Sequence, residues 1–305
     1  MNVWEPRPDE TLLARAPVTF ATGAAPRVRG MRWFRDTERN DIQHELAGWP
    51  EGPSFTPRST GEAIAQKSLR GAALTAGMAV MAFLSSAGGN ITGGGQAGDE
   101  GSDTPDDPSD EVEDFPVIWA APDTIARTLP WQLDPGRLDQ KHQVTHAIFT
   151  DRRLVFVELP YDKKNFEAID DDVLWECSRT DIDRVELRNF KDGTDFNVVF
   201  EDGSWCRLRS NWRRKLTRYL APPRELIALE SLTPQQRTTV LSFAAENEMP
   251  SSVTPIITRN PGGRYSVDIL LPKRFTSAFG ASEVSLVMDS VGQEVAVEDY
   301  HPEDF

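Results

Sequence analysis

Six basic residues fall within twelve positions: Arg207, Arg209, Arg213, Arg214, Lys215 and Arg218. No acid stands among them, and Trp212 and Tyr219 interleave. Guanidinium forks pair with carboxylates and phosphates and stack on aromatic rings. The cluster therefore reads as a contact for an anionic membrane surface or an acidic protein partner, at about 1 kcal/mol per cation near a charged bilayer. The plainer alternative is the solvated face of a helix. His142 and His146 are four apart, which on a helix could hold a metal ion. Both fall in a stretch that reads as strand, where four residues span about 13 Å, and no third ligand has a useful spacing, so no metal is expected. Cys177 and Cys206 are the only cysteines. They form no disulfide framework, fit a reducing compartment, and carry no nucleophile signature around them. Gly93-Gly-Gly-x-x-Gly neither follows a strand nor opens a helix, so it is not a dinucleotide fingerprint, and there is no P-loop or Gly-x-Ser-x-Gly. Asp170-Asp-Asp reads as a solvated loop. No catalytic residue and no cofactor is expected.

The formal charge is −15, from 33 basic and 48 acidic residues, which argues against a nucleic-acid binder. That charge is localised. Residues 96–114 hold nine acids and no base (Asp99, Glu100, Asp103, Asp106, Asp107, Asp110, Glu111, Glu113, Asp114), and Gly292 to Phe305 hold five more. Together they supply 14 of the 15 excess charges, so the negative balance belongs to two solvated segments rather than to an acidic binding face. The acids from Asp99 to Asp114 are also a candidate internal cover for the basic cluster.

These groups need elements to hold them. A length of 305 residues suggests about two domains, and 39% hydrophobic residues suffice for a packed core. The first 30 residues have no apolar run of the secretory type. Residues 1–60 read as an N-terminal segment with one strand, Leu12 to Phe20, and with bulky residues (Trp33, Phe34, Ile42, Leu46, Trp49) that suggest docking onto a core. Ser59 and Glu62 have capping-box spacing and open an Ala- and Gly-rich apolar helix over 61–87. Leu74, Met78, Met81, Phe83 and Leu84 would there touch a membrane or a second copy. Ala72, Ala76 and Ala79 would give a small-residue contact face, and Lys67 and Arg70 would mark the cytoplasmic flank. The apolar part from Gly71 to Leu84, at about 1.5 Å per residue, falls short of a bilayer core of roughly 30 Å. Residues 88–114 read as a disordered linker, glycine-rich and then acidic.

From 115 to 222 short apolar runs alternate with turn signals. Thr124–Leu133, Val144–Phe149, Leu154–Leu159, Val173–Ser178, Arg184–Phe190, Phe196–Phe200 and Trp205–Arg209 read as seven strands, with hairpin turns at Asp192-Gly193 and Asp202-Gly203. Residues 223–248 read as helical. Arg224 to Leu232 continues the helix after the basic cluster, and a second helix starts at Thr233-Pro with an apolar stripe of Val240, Leu241 and Ala244. Residues 249–291 read as a β extension, with Tyr265, Val267 and Ile269 alternating and then Val284, Leu286 and Met288. Residues 292–305 form the acidic tail.

The stretch from about 116 to 220 resembles the bacterial pleckstrin-homology-like and GRAM-like domains. The carrying residues are Pro122-Asp-Thr-Ile-Ala-Arg, Thr145-His-Ala-Ile-Phe-Thr-Asp-Arg-Arg-Leu-Val-Phe-Val with Thr150-Asp151 in its tight turn, and Ser178-Arg-Thr-Asp-Ile-Asp-Arg-Val. The resemblance implies an α+β fold: a seven-stranded antiparallel bent sheet sealed by a C-terminal helix, in a superfold that binds phosphoinositides, peptides or proteins. The chain departs from lipid-binding members in the loop Asp134 to His142, where Arg137 and Lys141 are offset by Asp134 and Asp139. Three functional expectations follow. The first is a non-catalytic, cytoplasmic recognition or scaffold protein, placed at the inner membrane face or against a protein partner. The second is a structural protein without a ligand that self-associates through the Ala-rich helix. The third is an enzyme whose site is not visible in sequence.

Overall fold

The structure, a computed structural model, describes residues 2–21, 33–49, 115–135, 143–161, 170–190, 193–247, 249, 253–270, 276–277, 280–281, 283–301 and 304. The expected apolar helix with Leu74, Met78, Met81, Phe83 and Leu84, the linker, and the loop with Arg137, Lys141 and His142 lie outside the described residues.

The described chain is mixed α+β, with mostly antiparallel sheets and few helices. β1 (Leu12–Pro17), β2 (Thr19–Phe20), β3 (Phe34–Arg35) and β4 (Ile118–Trp119) precede a run of longer strands. These are β5 (Gln143–Thr150), β6 (Arg153–Pro160), β7 (Asp172–Ser178), β8 (Ile182–Arg188), β9 (Asp195–Phe200) and β10 (Trp205–Arg209). One sheet has the order β1-β5-β6-β7 and a second the order β3-β4-β10-β9-β8, with β2 also on β10. Alternation fixes what lies between them. Ala14 and Ala16, Ala147 and Phe149, Leu154 and Phe156 point in from the first sheet, and Phe196, Val198, Phe200, Cys206 and Leu208 from the second, all into one buried cluster. Helix α1 (Arg213–Thr217) follows β10 and adds Leu216 to that cluster, as does Leu220 just beyond it.

The strands read from 144 to 209 are present within a residue or two of their expected bounds, and Gly193 and Gly203 adopt positive φ in their hairpins. The strand expected at Thr124–Leu133 is not. Two 3-10 turns, Ile125–Thr128 and Trp131–Leu133, occupy it. The reason is where its backbone N–H groups go. Ile125 donates to Asp202 Oδ2 at 2.6 Å and Ala126 to Ser204 Oγ at 3.2 Å, so side chains of the β9–β10 turn replace a ladder. The free edge of β5 is filled instead from the N-terminus. β1 pairs with β5 through Leu12↔Thr150 to Pro17↔His146, and β2 continues onto β10 through Phe20↔Leu208. Residues 12–20 are thus one strand bent at Val18, half in each sheet.

The N-terminus also covers the outer face of the first sheet, where Val3 and Trp4 pack on Ile148, Val155, Val157 and Leu159. A fully buried ion pair lies on this face. Arg15 donates from both Nη atoms to Asp171, at 2.7 and 2.6 Å, and from Nε to His146 Nδ1 at 3.2 Å. Trp4 N donates to the same carboxylate at 2.7 Å. Asp171, expected to be a solvated loop acid, is thereby interior, because the arginine that neutralises it is itself 2% exposed.

Glu10 clamps the β5–β6 turn in the same way. Its buried carboxylate accepts from Thr150 Oγ1 at 2.6 Å, from Arg153 Nε at 2.8 Å and Nη2 at 2.9 Å, and from Arg7 N at 3.0 Å. Burial pushes its pKa up. The hydrogen bonds from Arg153, Thr150 and Arg7 outweigh that and hold it at about 2, against 4.5 unperturbed. A folded value below the unfolded one means that this contribution is complete above about pH 4.5 and is lost as pH falls toward 2. Urea unfolding between those limits should show stability falling with acidification, and Glu10→Gln should flatten that slope. An unchanged slope in the variant would assign the acid sensitivity elsewhere.

The remaining unit is helix α2 (Pro234–Glu246) on a three-stranded sheet, β11 (Ile256–Arg259), β12 (Tyr265–Leu270) and β15 (Glu283–Met288), with a small hairpin β13 (Thr276–Ser277) and β14 (Gly280–Ala281). α2 begins as expected at Thr233, whose hydroxyl accepts from Gln236 N while Gln236 Oε1 accepts from Thr233 N. Its buried stripe is Gln236, Val240 and Ala244, and Leu241 is 49% exposed, since a 100° step carries it off that face. Residues 224–232 form one 3-10 turn at Leu229–Ser231 rather than a helix, because Leu226 and Ile227 bridge to the edge of β11. The acidic tail is not wholly solvated. Asp304 is buried, accepting from Asn260 Nδ2 at 2.9 Å and Arg264 Nη1 at 3.0 Å. This unit docks on the sandwich through Leu13, Tyr219, Ile256, Leu270 and Ala281. The approach is close. Gly280, at φ +108, has no room for a side chain, since a Cβ would sit 2.5 Å from Arg15 O.

Candidate functional site

The six clustered cations do not share a surface. Along β10, Cys206 and Leu208 point inward, so Arg207 and Arg209 point to the outer face of the second sheet. There Trp205 stacks on Trp119 from β4 at 6.5 Å and 8°. Arg39 lies 5.5 Å over Trp119, and Arg207 lies between Trp205 at 5.6 Å and Phe190 at 4.8 Å. Arg188 lies 5.7 Å over the other end of that series, on Phe190. Arg207 itself is buried, donating from Nε to Asn197 Oδ1 at 3.2 Å. Its role is to knit the sheet, with cation–π contacts worth about 0.5–2 kcal/mol. Arg209 is half-buried.

The other four surround α1. Arg213 is buried and braces the corner. Its Nη1 donates to Arg188 O at 2.6 Å and to Asp195 O at 2.8 Å, tying the end of β8 and the start of β9 to the helix. Burial, and then the neighbouring Arg214, hold its guanidinium below the usual arginine range. Lys215 donates to Ala281 O and lies 3.5 Å from Glu283. Arg218 pairs with Asp268 at 3.1 Å and Glu283 at 3.3 Å. Tyr219 Oη donates to Asp268 Oδ2 at 2.5 Å, and burial together with that carboxylate pushes the phenol upward. Two of the six, Lys215 and Arg218, are therefore a docking device between the sandwich and the C-terminal unit. Of the six, Arg214 alone is exposed.

A shallow groove of about 510 Å³ opens at this corner, lined by Gly193, Asn211, Trp212, Arg213, Arg214, Lys215, Arg218 and Glu283. Gly193, at φ +60, makes the tight β8–β9 turn that forms one rim, with its N–H donating to Phe190 O at 2.8 Å. Ser210 fixes the other side, donating from Oγ to Pro17 O at 2.6 Å and accepting from Trp212 N at 3.1 Å. Within this wall the Nε–H of Arg213 is buried and has no acceptor. An unpaired buried donor on a charged group costs upward of about 1–3 kcal/mol, a cost borne inside the wall rather than at the groove surface. The chemistry on offer is anion recognition beside an indole face.

The sequence pattern supplied Trp212 and the cations but missed Asp268 and Glu283, which decide which cations stay available. Asp268 was a visible signal: it is an acid inside an otherwise apolar or hydroxyl-bearing strand, and such an acid needs a buried partner. His146 is an acceptor for Arg15, and among the described residues no group of three or more His, Cys, Asp or Glu could hold a metal. Burial pushes the Cys177 thiol up to about 12 and Cys206 higher still, so both are protonated at neutral pH. Among the described residues no helix is long and apolar enough to cross a membrane. Searches against family models, curated proteins and solved structures gave no match.

Proposed function

We propose that the chain is a non-catalytic recognition module whose first two sheets form a pleckstrin-homology-like sandwich, and that it binds an anionic protein segment in the groove at α1. Chain order supports the fold reading. The bent strand 12–20 serves both sheets, β5 to β7 complete one and β8 to β10 the other, and α1 closes an end. On this reading the family's first strand is Leu12–Phe20, not Pro122–Arg127, and residues 22–142 are an insertion between the first and second strands. The observation that carries the function is the groove surface itself, where exposed Arg214 stands beside half-buried Trp212 on a wall braced by buried Arg213. Commitment of Lys215 and Arg218 to Asp268 and Glu283 favours a narrow anionic segment over a flat membrane, which needs cations spread across a face.

The test is fluorescence anisotropy with a labelled oligoglutamate peptide. It uses the full chain and a full-length variant whose nine acids between residues 99 and 114 are changed to their amides. Saturable binding by either protein, weakened between about 50 mM and 300 mM salt and by Arg214→Glu, is the expected result. Absence of binding in both, or binding indifferent to Arg214→Glu, overturns this reading.

A further inference from the structure

We infer that the anionic segment taken by this groove is presented by a second copy of the chain, as residues 294–299 of its C-terminal unit, so that copies associate groove to segment. The inference names the partner of the anion site proposed above and rests on that reading. Glu294, Glu298 and Asp299 are exposed along the segment, and Val297 among them is 74% exposed. The groove offers the complement. Trp212 packs partly on the core and is otherwise open, beside exposed Arg214. Two unlike contacts therefore match, carboxylate with guanidinium and isopropyl group with indole. The segment is also narrow, a 3-10 turn at Val297–Asp299. That suits a groove in which Lys215 and Arg218 are already held by Glu283 and Asp268.

The segment cannot reach the groove of its own chain. β15 leads from Glu283, in the groove lining, to Met288, and five steps at about 3.3 Å put roughly 17 Å between them. The acids return beside the Met288 end, where Glu294 bridges to Met288 and Val295 N donates to Val287 O at 2.8 Å. The turn before them is pinned to α2: Gln236 Nε2 donates to Ser290 O at 2.9 Å, and Thr239 Oγ1 to Gly292 O at 2.5 Å. Gly292, at φ +90, lies so close to α2 that a Cβ would stand 2.7 Å from Gln236 N. Past the turn, Arg264 Nη1 donates to Asp299 O at 2.9 Å. With both ends fixed, the acids are displayed on a rigid backbone away from the cations of their own molecule. Such display lowers the ordering cost of binding. Each copy therefore has one groove and one segment to offer.

Contacts below about 1,200 Å² are weak and transient, so sedimentation equilibrium of the full chain is followed to several hundred micromolar. Expected is an average mass that rises with concentration at about 50 mM salt, and that returns to one chain near 300 mM salt or with excess oligoglutamate. Arg214→Glu and Glu298→Lys, both at exposed positions, should each weaken association at least about tenfold, because each sets like charges against one another. Mixed together they should form one-to-one pairs, since the first supplies a segment and the second a groove. Glu298→Lys alone should still bind oligoglutamate as the parent does. A constant parent mass with oligoglutamate still bound overturns the inference and leaves the anion site standing. Association that survives both substitutions, or a mixture that does not pair, does the same. Oligoglutamate bound by neither the parent nor the amide variant overturns both.

Discussion

A chain that begins at residue 115 is expected not to fold, although it contains every strand of the family-like stretch. Such a chain lacks β1, β2 and β3. It loses Val18, Phe20, Phe34, Ile42 and Leu46 from the central cluster, all 6% exposed or less. At about 1.5–3 kcal/mol for each buried side chain, these five alone account for on the order of 10 kcal/mol. Whole-domain stability is typically about 5–15 kcal/mol, so the loss takes most or all of it. Truncation also uncovers the edge of β5 and strips His146 and Asp171 of Arg15. The measurement is far-ultraviolet dichroism with a thermal melt on the truncated and full chains. A cooperative melt of the truncated chain near the parent's midpoint would show that the N-terminal strand is an accessory and not a structural member.

Asp171→Ala is expected to destabilise the full chain by about 3–5 kcal/mol, the cost of leaving a buried guanidinium without its counter-charge. Both partners are at most 2% exposed, so water cannot substitute for the carboxylate. The change also removes the acceptor for Trp4 N, which loosens the N-terminal cover over Val155 and Val157. Replacing the pair together, as Arg15→Met with Asp171→Leu, should restore much of the loss, because an apolar pair carries no desolvation cost. Urea denaturation of Arg15→Met, Asp171→Leu and the double variant gives the coupling directly. Single-variant losses below about 1 kcal/mol would mean that the pair is hydrated in solution.

Much of the second half of the chain was legible because its signals are local. Alternation from Thr145 to Val157 around Thr150-Asp151, the glycines at 193 and 203, and the helix start at Thr233-Pro each specify structure within a few residues, and each appears as read. The misreadings concern pairing at a distance. Residues 124–133 are apolar enough for a strand, but the Asp202 and Ser204 side chains that take their N–H groups are nearly eighty positions away, and nothing nearby reports them. Leu12–Phe20 was legible as a strand but not as the member common to both sheets. The basic cluster was legible as charge. That Arg218 and Lys215 face acids 50 or more residues downstream, while Arg213 faces backbone carbonyls, depended on how β12 and β15 dock, and that is decided by Gly280 and its neighbours against β1.

The bent strand sets a timetable for synthesis. Residues 12–20 leave the ribosome early, yet their partners reach from His146 to Arg209. At about 5–20 residues per second, the interval between Phe20 and Arg209 is on the order of 10–40 s. Until β5 is made the segment has no native strand partner, and from then until β10 follows only its first half can pair, leaving Thr19 and Phe20 without theirs. Nascent chains of this protein should therefore depend on holding chaperones until translation passes α1, and a bulky fusion at the N-terminus should impede the last step of closure more than the same fusion at the other end.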